Sequence, residues 1–189
     1  MRSSARAALD RIEKVVAVNI LAISGSLRAV SINSMLLRAA ARLAPPGIGI
    51  DVYRDLGTLP LFNPDLETQD PRQVAELRTR IVSSAAVLIA SPEYAHGVTG
   101  VLKNALDWMV GNESFVGKPV ALWNASPRAT IAQAALRETV ETMAARIIPE
   151  ACVTLPILGS GLDEDGIVNN PAIRHTIIGA LLALSNSGR

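Results

Sequence analysis

Two hydrophobic patterns alternate along the chain. Residues 15–24 (VVAVNILAIS), 48–53 (IGIDVY), 86–90 (AVLIA), 118–125 (KPVALWNA) and 152–156 (CVTLP) are short, nearly continuous apolar runs. Such runs suit strands of a parallel sheet covered on both faces, because a strand with one wet face alternates instead. Between them, residues 33–43, 70–85, 101–109, 128–147 and 170–185 carry apolar positions at helical spacing, as in Leu36, Leu37, Ala40 and Leu43. The punctuation agrees. Pro45-Pro46-Gly47 stops the first helix, and Pro149 stops the fourth. Asp70 is expected to cap the second helix, with Pro71 at its first position. Pro119 stands near a strand start, where the ladder tolerates it. Strand and helix alternate throughout, which predicts an open parallel sheet with helices on both faces. No repeat, linker or low-complexity segment divides residues 15–189, so they are expected to form one domain.

Residues 1–14 (MRSSARAALDRIEK) are read as a polar extension. With the apolar run that follows they mimic a secretion leader. Asp10 and Glu13, and the lack of a small-residue cleavage site, favour a buried first strand. No stretch reaches the roughly 18 apolar residues of a membrane helix. Eighteen basic residues face 17 acidic ones, for a net charge of +1. That balance supplies no electrostatic reason for a nucleic-acid or anionic-membrane partner. Cys152 is the only cysteine, which excludes an intrachain disulfide or a Cys-based metal cluster and fits a cytoplasmic protein. His96 and His175 are too few for a His-rich metal site, and no metal is expected.

In open parallel sheets, ligands bind beyond the carboxyl ends of the strands, where the strand order reverses. The loops after the first, third and fourth strands, at 24–33, 91–98 and 124–130, hold the unusual residues. The first reads SGSLRAVSIN and is dense in hydroxyls, with Ser24, Ser26, Ser31, Asn33 and one charged fork, Arg28. It opens a helix whose first N–H groups lack partners, so an anion fits there. A helix cap alone would use one hydroxyl, not the cluster. The dinucleotide fingerprint is absent, since GSLRAV keeps only its first glycine. GNESFVGKP misses the Walker pattern by one residue and by Pro119, and leads into a strand. A mononucleotide phosphate, held by side chains and backbone together, is the expected anion.

These residues carry a resemblance. GSLRAVSIN resembles the G-S-L-R-x-x-S-x-N loop of the NADPH-dependent FMN reductase family, and SPEYAHGVTGVLKNALDW resembles its P-E-Y-N-x-x-x-P-G-x-L-K-N-A-x-D-W signature. LPLFNPDLE and GKPVALWNASP are similar to its intervening segments, so the resemblance spans roughly residues 15 to 185. It implies a flavodoxin-like three-layer α/β/α sandwich with a five-stranded parallel sheet in the order 2-1-3-4-5. It also implies bound FMN and an NADPH- or NADH-dependent reduction of quinones, azo dyes, chromate or free flavins. Carried across, Ser26, Arg28, Ser31 and Asn33 would bind the FMN phosphate, with Ser24, Leu27 and Ile32 in the same loop. Pro92, Glu93, Tyr94, Ala95, His96 and Gly97 would lie beside the flavin ring, and Ser126 would approach from the third loop. Ala95 stands where relatives commonly have Asn, and Thr99 where they commonly have Pro. The third loop, SPRA, has no glycine.

No side chain is expected to act as a nucleophile or acid, because the cofactor carries the chemistry. A ping-pong reaction and a homodimer or homotetramer follow from the resemblance. Asn104 and Trp108, at i and i+4, are read as packing and interface residues on the helix after the second loop. Glu93 is read as a loop hydrogen-bonding residue, His175 as structural, and Cys152 as a small core residue. Two other readings are a flavodoxin-like electron carrier without enzymatic activity and an interaction protein that has lost its cofactor.

Overall fold

A computed structural model describes residues 18–188. The expected extension at 1–14 and the start of the expected first strand lie outside those residues. The first strand is β1 (Val18–Ser24), followed by α1 (Ile32–Leu43) and β2 (Ile48–Tyr53). Next come α2 (Arg72–Ser83), β3 (Ala86–Ala90), a two-strand hairpin of β4 (Glu93–Tyr94) and β5 (Gly97–Val98), and α3 (Gly100–Val110). β6 (Pro119–Asn124), α4 (Ile131–Thr142), β7 (Arg146–Ile147), β8 (Val153–Thr154), α5 (Glu164–Asn169) and α6 (Pro171–Ser187) complete the described chain.

The sheet order is β2-β1-β3-β6-β7, with β8 also on β6, and every pairing in this sheet is parallel. This is the flavodoxin-like order. Alternate residues of β1 feed two separate cores. Ile20 and Ala22 join α1, α5 and α6 on one face. Leu21 and Ile23 join α2, α3 and α4 on the other. Both faces are therefore dry, which is why the strand has no polar period.

The fifth sheet position is shared by two short strands. β7 pairs the start of β6, through Pro119 and Val120, and β8 pairs its end, through Trp123 and Asn124. Pro149 cannot donate to a ladder, and residues 149–151 turn as a short 3-10 helix between them. Side chains bridge the gap. The Leu122 N–H donates to Cys152 Sγ at 3.3 Å, and Trp123 Nε1 donates to the Ala151 carbonyl at 2.8 Å. Cys152 is half-buried and packs against the second core.

Two element boundaries differ from expectation. The helix expected over 128–147 spans only Ile131–Thr142. Ala144 takes a left-handed φ of 59°, and Arg146 and Ile147 after it form β7. Asp70 does not cap α2. It ends the preceding 3-10 turn with a φ of 43°, and its carboxylate pairs with Arg78 at 3.0 Å.

Candidate active site

Gly25 sets the junction of the first two loops. Its N–H donates to the Ala90 carbonyl at 2.9 Å, and its own carbonyl accepts the Thr99 hydroxyl at 2.6 Å. A Cβ on residue 25 would lie 2.3 Å from Ser91 Oγ and 2.8 Å from Ser91 Cβ. Only glycine lets the backbone of the first loop lie this close to the start of the second.

Beyond Gly25 the hydroxyls of the first loop organise the backbone. The Ser26 N–H donates to Ser24 Oγ at 3.3 Å, and the Arg28 N–H to Ser26 Oγ at 3.4 Å. Ser31 caps α1 by accepting the Ser34 N–H at 3.2 Å, and the Ser34 hydroxyl donates to Ser24 Oγ at 2.8 Å. So Ser31 does serve as a cap, while its neighbours do other work. The side chain of Asn33 is buried and its Oδ1 has no hydrogen-bond partner. That buried acceptor is costly unless a donor answers it, while the NH2 of the same amide is the group that can donate to an anion.

The second loop is a hairpin. Ala95 and His96 have φ of 48° and 59°, two consecutive left-handed residues between Tyr94 and Gly97. This is the geometry of a tight primed turn. Glu93 anchors it. One carboxylate oxygen accepts the Ala132 N–H in the first turn of α4 at 2.8 Å, and the other lies 3.0 Å from His96 Nδ1. These partners, Ala132 foremost, hold the Glu93 carboxyl below the usual carboxylate range.

The third loop is closed by Asn124. Its Oδ1 accepts the Ser126 N–H at 2.9 Å and its Nδ2 donates to the Ala129 carbonyl at 2.8 Å. Ser126 is buried, and its hydroxyl accepts the Arg128 N–H at 3.3 Å.

The three loops enclose one cleft of about 300 Å³. Ser26, Arg28, Ser31, Ile32 and Asn33 line it from the first loop, Pro92, Glu93 and Tyr94 from the second, and Ser126 from the third. Ser24 and Leu27 instead face a second cleft on the β2 side of the first loop. Ala95, His96 and Gly97 form the hairpin tip outside the lining, and the His96 side chain is 77% exposed. Ser91, Asn124, Ala125, Arg128, Ala129 and Leu158 also line the main cleft and were not singled out from sequence. Asn124 at a strand end is a signal that could have been used. Leu158 lies far along the chain and offers none.

The profile of the NADPH-dependent FMN reductase family matches residues 18–157, which carry all three loops. The chain belongs to that family. The chain is similar to the NAD(P)H-dependent FMN reductase of Pseudomonas aeruginosa, 35% identical over 88% of this chain and 93% of the relative. A 2-hydroxy-1,4-benzoquinone reductase of Burkholderia sp is 38% identical over 65% of this chain and 69% of the relative. Among solved structures, the flavoenzyme NAD(P)H:(acceptor) oxidoreductase FerB from Paracoccus denitrificans superposes with a TM-score of 0.72. It is 28% identical and covers 90% of this chain and 96% of its own. The chain is an NAD(P)H-dependent oxidoreductase with FMN as cofactor.

The residues of the main cleft fit this cofactor. A phosphate monoester needs several donors and a counter-charge. The first-turn N–H groups of α1, the hydroxyls of Ser26 and Ser31, the side-chain NH2 of Asn33 and the Arg28 guanidinium provide both. Among the described residues, no group of three or more His, Cys, Asp or Glu is placed to hold a metal ion.

Asn104 and Trp108 both act on the segment before the second helix. Asn104 Nδ2 and Trp108 Nε1 donate to the Pro60 carbonyl at 3.0 and 2.8 Å. Asn104 Oδ1 accepts the Phe62 N–H at 2.7 Å, and the Phe62 ring meets Trp108 edge-on at 5.2 Å. Their packing role is direct. His175 is exposed on α6.

Proposed function

We propose that this reductase acts on quinone-type acceptors by a ping-pong reaction at the main cleft. The observation that carries the reading is the convergence of Ser26, Arg28, Ser31 and the buried Asn33 on one cleft at the start of α1. Ser26, Arg28, Ser31 and Asn33 bind the FMN phosphate. Pro92, Glu93 and Tyr94, with the hairpin tip Ala95, His96 and Gly97, bound the ring, and Ser126 closes the other side. Bound FMN supplies a centre that takes a hydride from the nicotinamide and passes two electrons to a second acceptor. The protein's part is to orient and to exclude water. Glu93 fixes the hairpin against α4, and Asn124 fixes the third loop, so the walls keep their spacing when a substrate enters.

The acceptor class rests on relatives named as quinone reductases, including those of Pseudomonas putida and Escherichia coli. The apolar part of the lining supports it. Ile32, Pro92, Tyr94, Ala125, Ala129 and Leu158 offer a flat acceptor a dry surface. Nicotinamide and quinone use the same open cleft in turn, which is why parallel initial-velocity lines are expected. The protein works in the cytoplasm as a homodimer or homotetramer. Leu61 and Val110, 84% and 62% exposed beside the Asn104–Trp108 packing, are the apolar surface for that contact. Among the described residues, no helix is long and apolar enough to cross a membrane.

The test is an anaerobic visible spectrum of the FMN-loaded protein before and after NADPH, followed by turnover with a benzoquinone. Bleaching and recovery of the flavin band with parallel lines support the reading. Bleaching without quinone turnover would leave an electron carrier, and failure to retain flavin would overturn the cofactor site.

A further inference from the structure

The second cleft has about 280 Å³, and apart from Ser26 and Arg28 its lining is separate from that of the main cleft. Three arginines meet there from separate elements: Arg28 from the first loop, Arg38 from α1 and Arg54 from the residue after β2. Among the described residues, no carboxylate lines the cleft. Glu164 takes the Arg38 Nε at 2.8 Å, which leaves the Nη groups of that fork. Among the described residues, neither Arg28 nor Arg54 has a carboxylate within ion-pair distance. The hydroxyls of Ser24 and Ser34 face the same space, already joined to each other at 2.8 Å. Leu27, 61% exposed, adds an apolar face at the rim.

We propose that this cleft binds the adenosine 2′-phosphate of NADPH and thereby favours NADPH over NADH as the electron donor. The proposal rests on the reductase reading of the main cleft. A guanidinium fork matches the oxygens of a phosphate better than a point charge does, and the positive excess suits a dianion. The phosphate of FMN is not a competitor for this cleft. The N-terminus of α1, with Ser31, Ile32 and Asn33, opens on the main cleft, and none of the three lines the second. Ser26 and Arg28 line both. The two clefts therefore adjoin across one loop, and the proposal sets the nicotinamide of a dinucleotide over the main cleft and its adenosine end beside Arg38 and Arg54. A donor without the 2′-phosphate leaves Arg54 and the Arg38 Nη groups unanswered and gains nothing from them.

The test uses the FMN-loaded protein and two variants, Arg54→Ala and Arg38→Gln. Binding of adenosine 2′,5′-bisphosphate, of ADP and of inorganic phosphate is measured by titration calorimetry, and kcat/KM is measured with NADPH and NADH. The wild type is expected to bind the 2′,5′-bisphosphate more tightly than ADP. Each variant is expected to lose about tenfold in that affinity and in kcat/KM for NADPH. NADH kinetics should move less than about twofold on the same scale. Equal affinity for the bisphosphate and ADP would overturn the proposal, as would an equal loss with both donors. Inorganic phosphate binding as tightly as the bisphosphate would make the cleft a simple anion site and overturn it too. If neither donor is oxidised, the reductase reading fails, yet the comparison of the two nucleotides still decides what the cleft recognises.

Discussion

Thr99 donates its hydroxyl to the Gly25 carbonyl at 2.6 Å, a buried bond that ties the second loop to the first. The family signature commonly has proline at this position, which could not make the bond. Thr99→Val keeps the shape and removes the donor. A buried carbonyl left without its partner costs about 1–3 kcal/mol. The variant is expected to unfold at lower denaturant by that amount and to bind FMN more weakly. Unchanged stability would mean that the Gly25–Ser91 contact alone sets the loop spacing.

Glu93 makes the hairpin sensitive to acid. Its carboxyl is held below the usual carboxylate range by the Ala132 N–H first and by His96 second. The stabilisation is therefore complete above the unfolded carboxylate pKa of about 4.3, and it is lost as pH falls through the lower folded value. Glu93→Gln keeps an acceptor for Ala132 and cannot titrate. The difference in Tm between wild type and this variant is expected to shrink on acidification, and a difference independent of pH would contradict the assignment.

Ala95 occupies a left-handed conformation that its side chain does not favour, with φ of 48°. Asn tolerates this region far better, and relatives commonly carry it here. Ala95→Asn should stabilise the protein by about 0.5–1 kcal/mol, equivalent to roughly 1–4 °C in Tm. A Tm that stays put or falls would show that the turn holds no such strain.

Arg28 is the one charged side chain of the first loop. A charge-assisted hydrogen bond contributes about 1.5–3 kcal/mol, so Arg28→Ala should weaken FMN binding by roughly 10–100-fold in a protein that still folds. Fluorescence titration of the apoprotein with FMN checks this. An unaltered dissociation constant would remove Arg28 from the phosphate site.

The sheet and the first loop were legible in the residues themselves. Parallel strands buried on both faces must be apolar at nearly every position, so β1, β2, β3 and β6 stand out as runs; alternation with helices predicts a parallel sheet, and the family resemblance implies the strand order. The hydroxyl-rich start of α1 is likewise local, because a helix terminus and its donors are neighbours in the chain. What depends on contact between distant segments was not legible. Helical spacing in residues 128–147 could not show that Ala144 would turn left-handed and release Arg146 and Ile147 to pair with β6. The fifth strand is read from sequence at residues 152–156, whereas that place in the sheet is shared by β7 and β8 with the Pro149 turn between them, and the Cys152 sulfur accepts the Leu122 N–H across the gap. Asn124 and Leu158 reach the main cleft only because β6 and the loop after β8 end at the same edge of the sheet. Arg38 and Arg54 look like ordinary surface charges in sequence. They share a cleft with Arg28 because β2 lies beside β1 in parallel register, which brings the end of one strand against the loop that follows the other. Periodicity and hydrogen-bond donors near one another in sequence are read one residue at a time, whereas a site made by convergence exists only once the strands have paired.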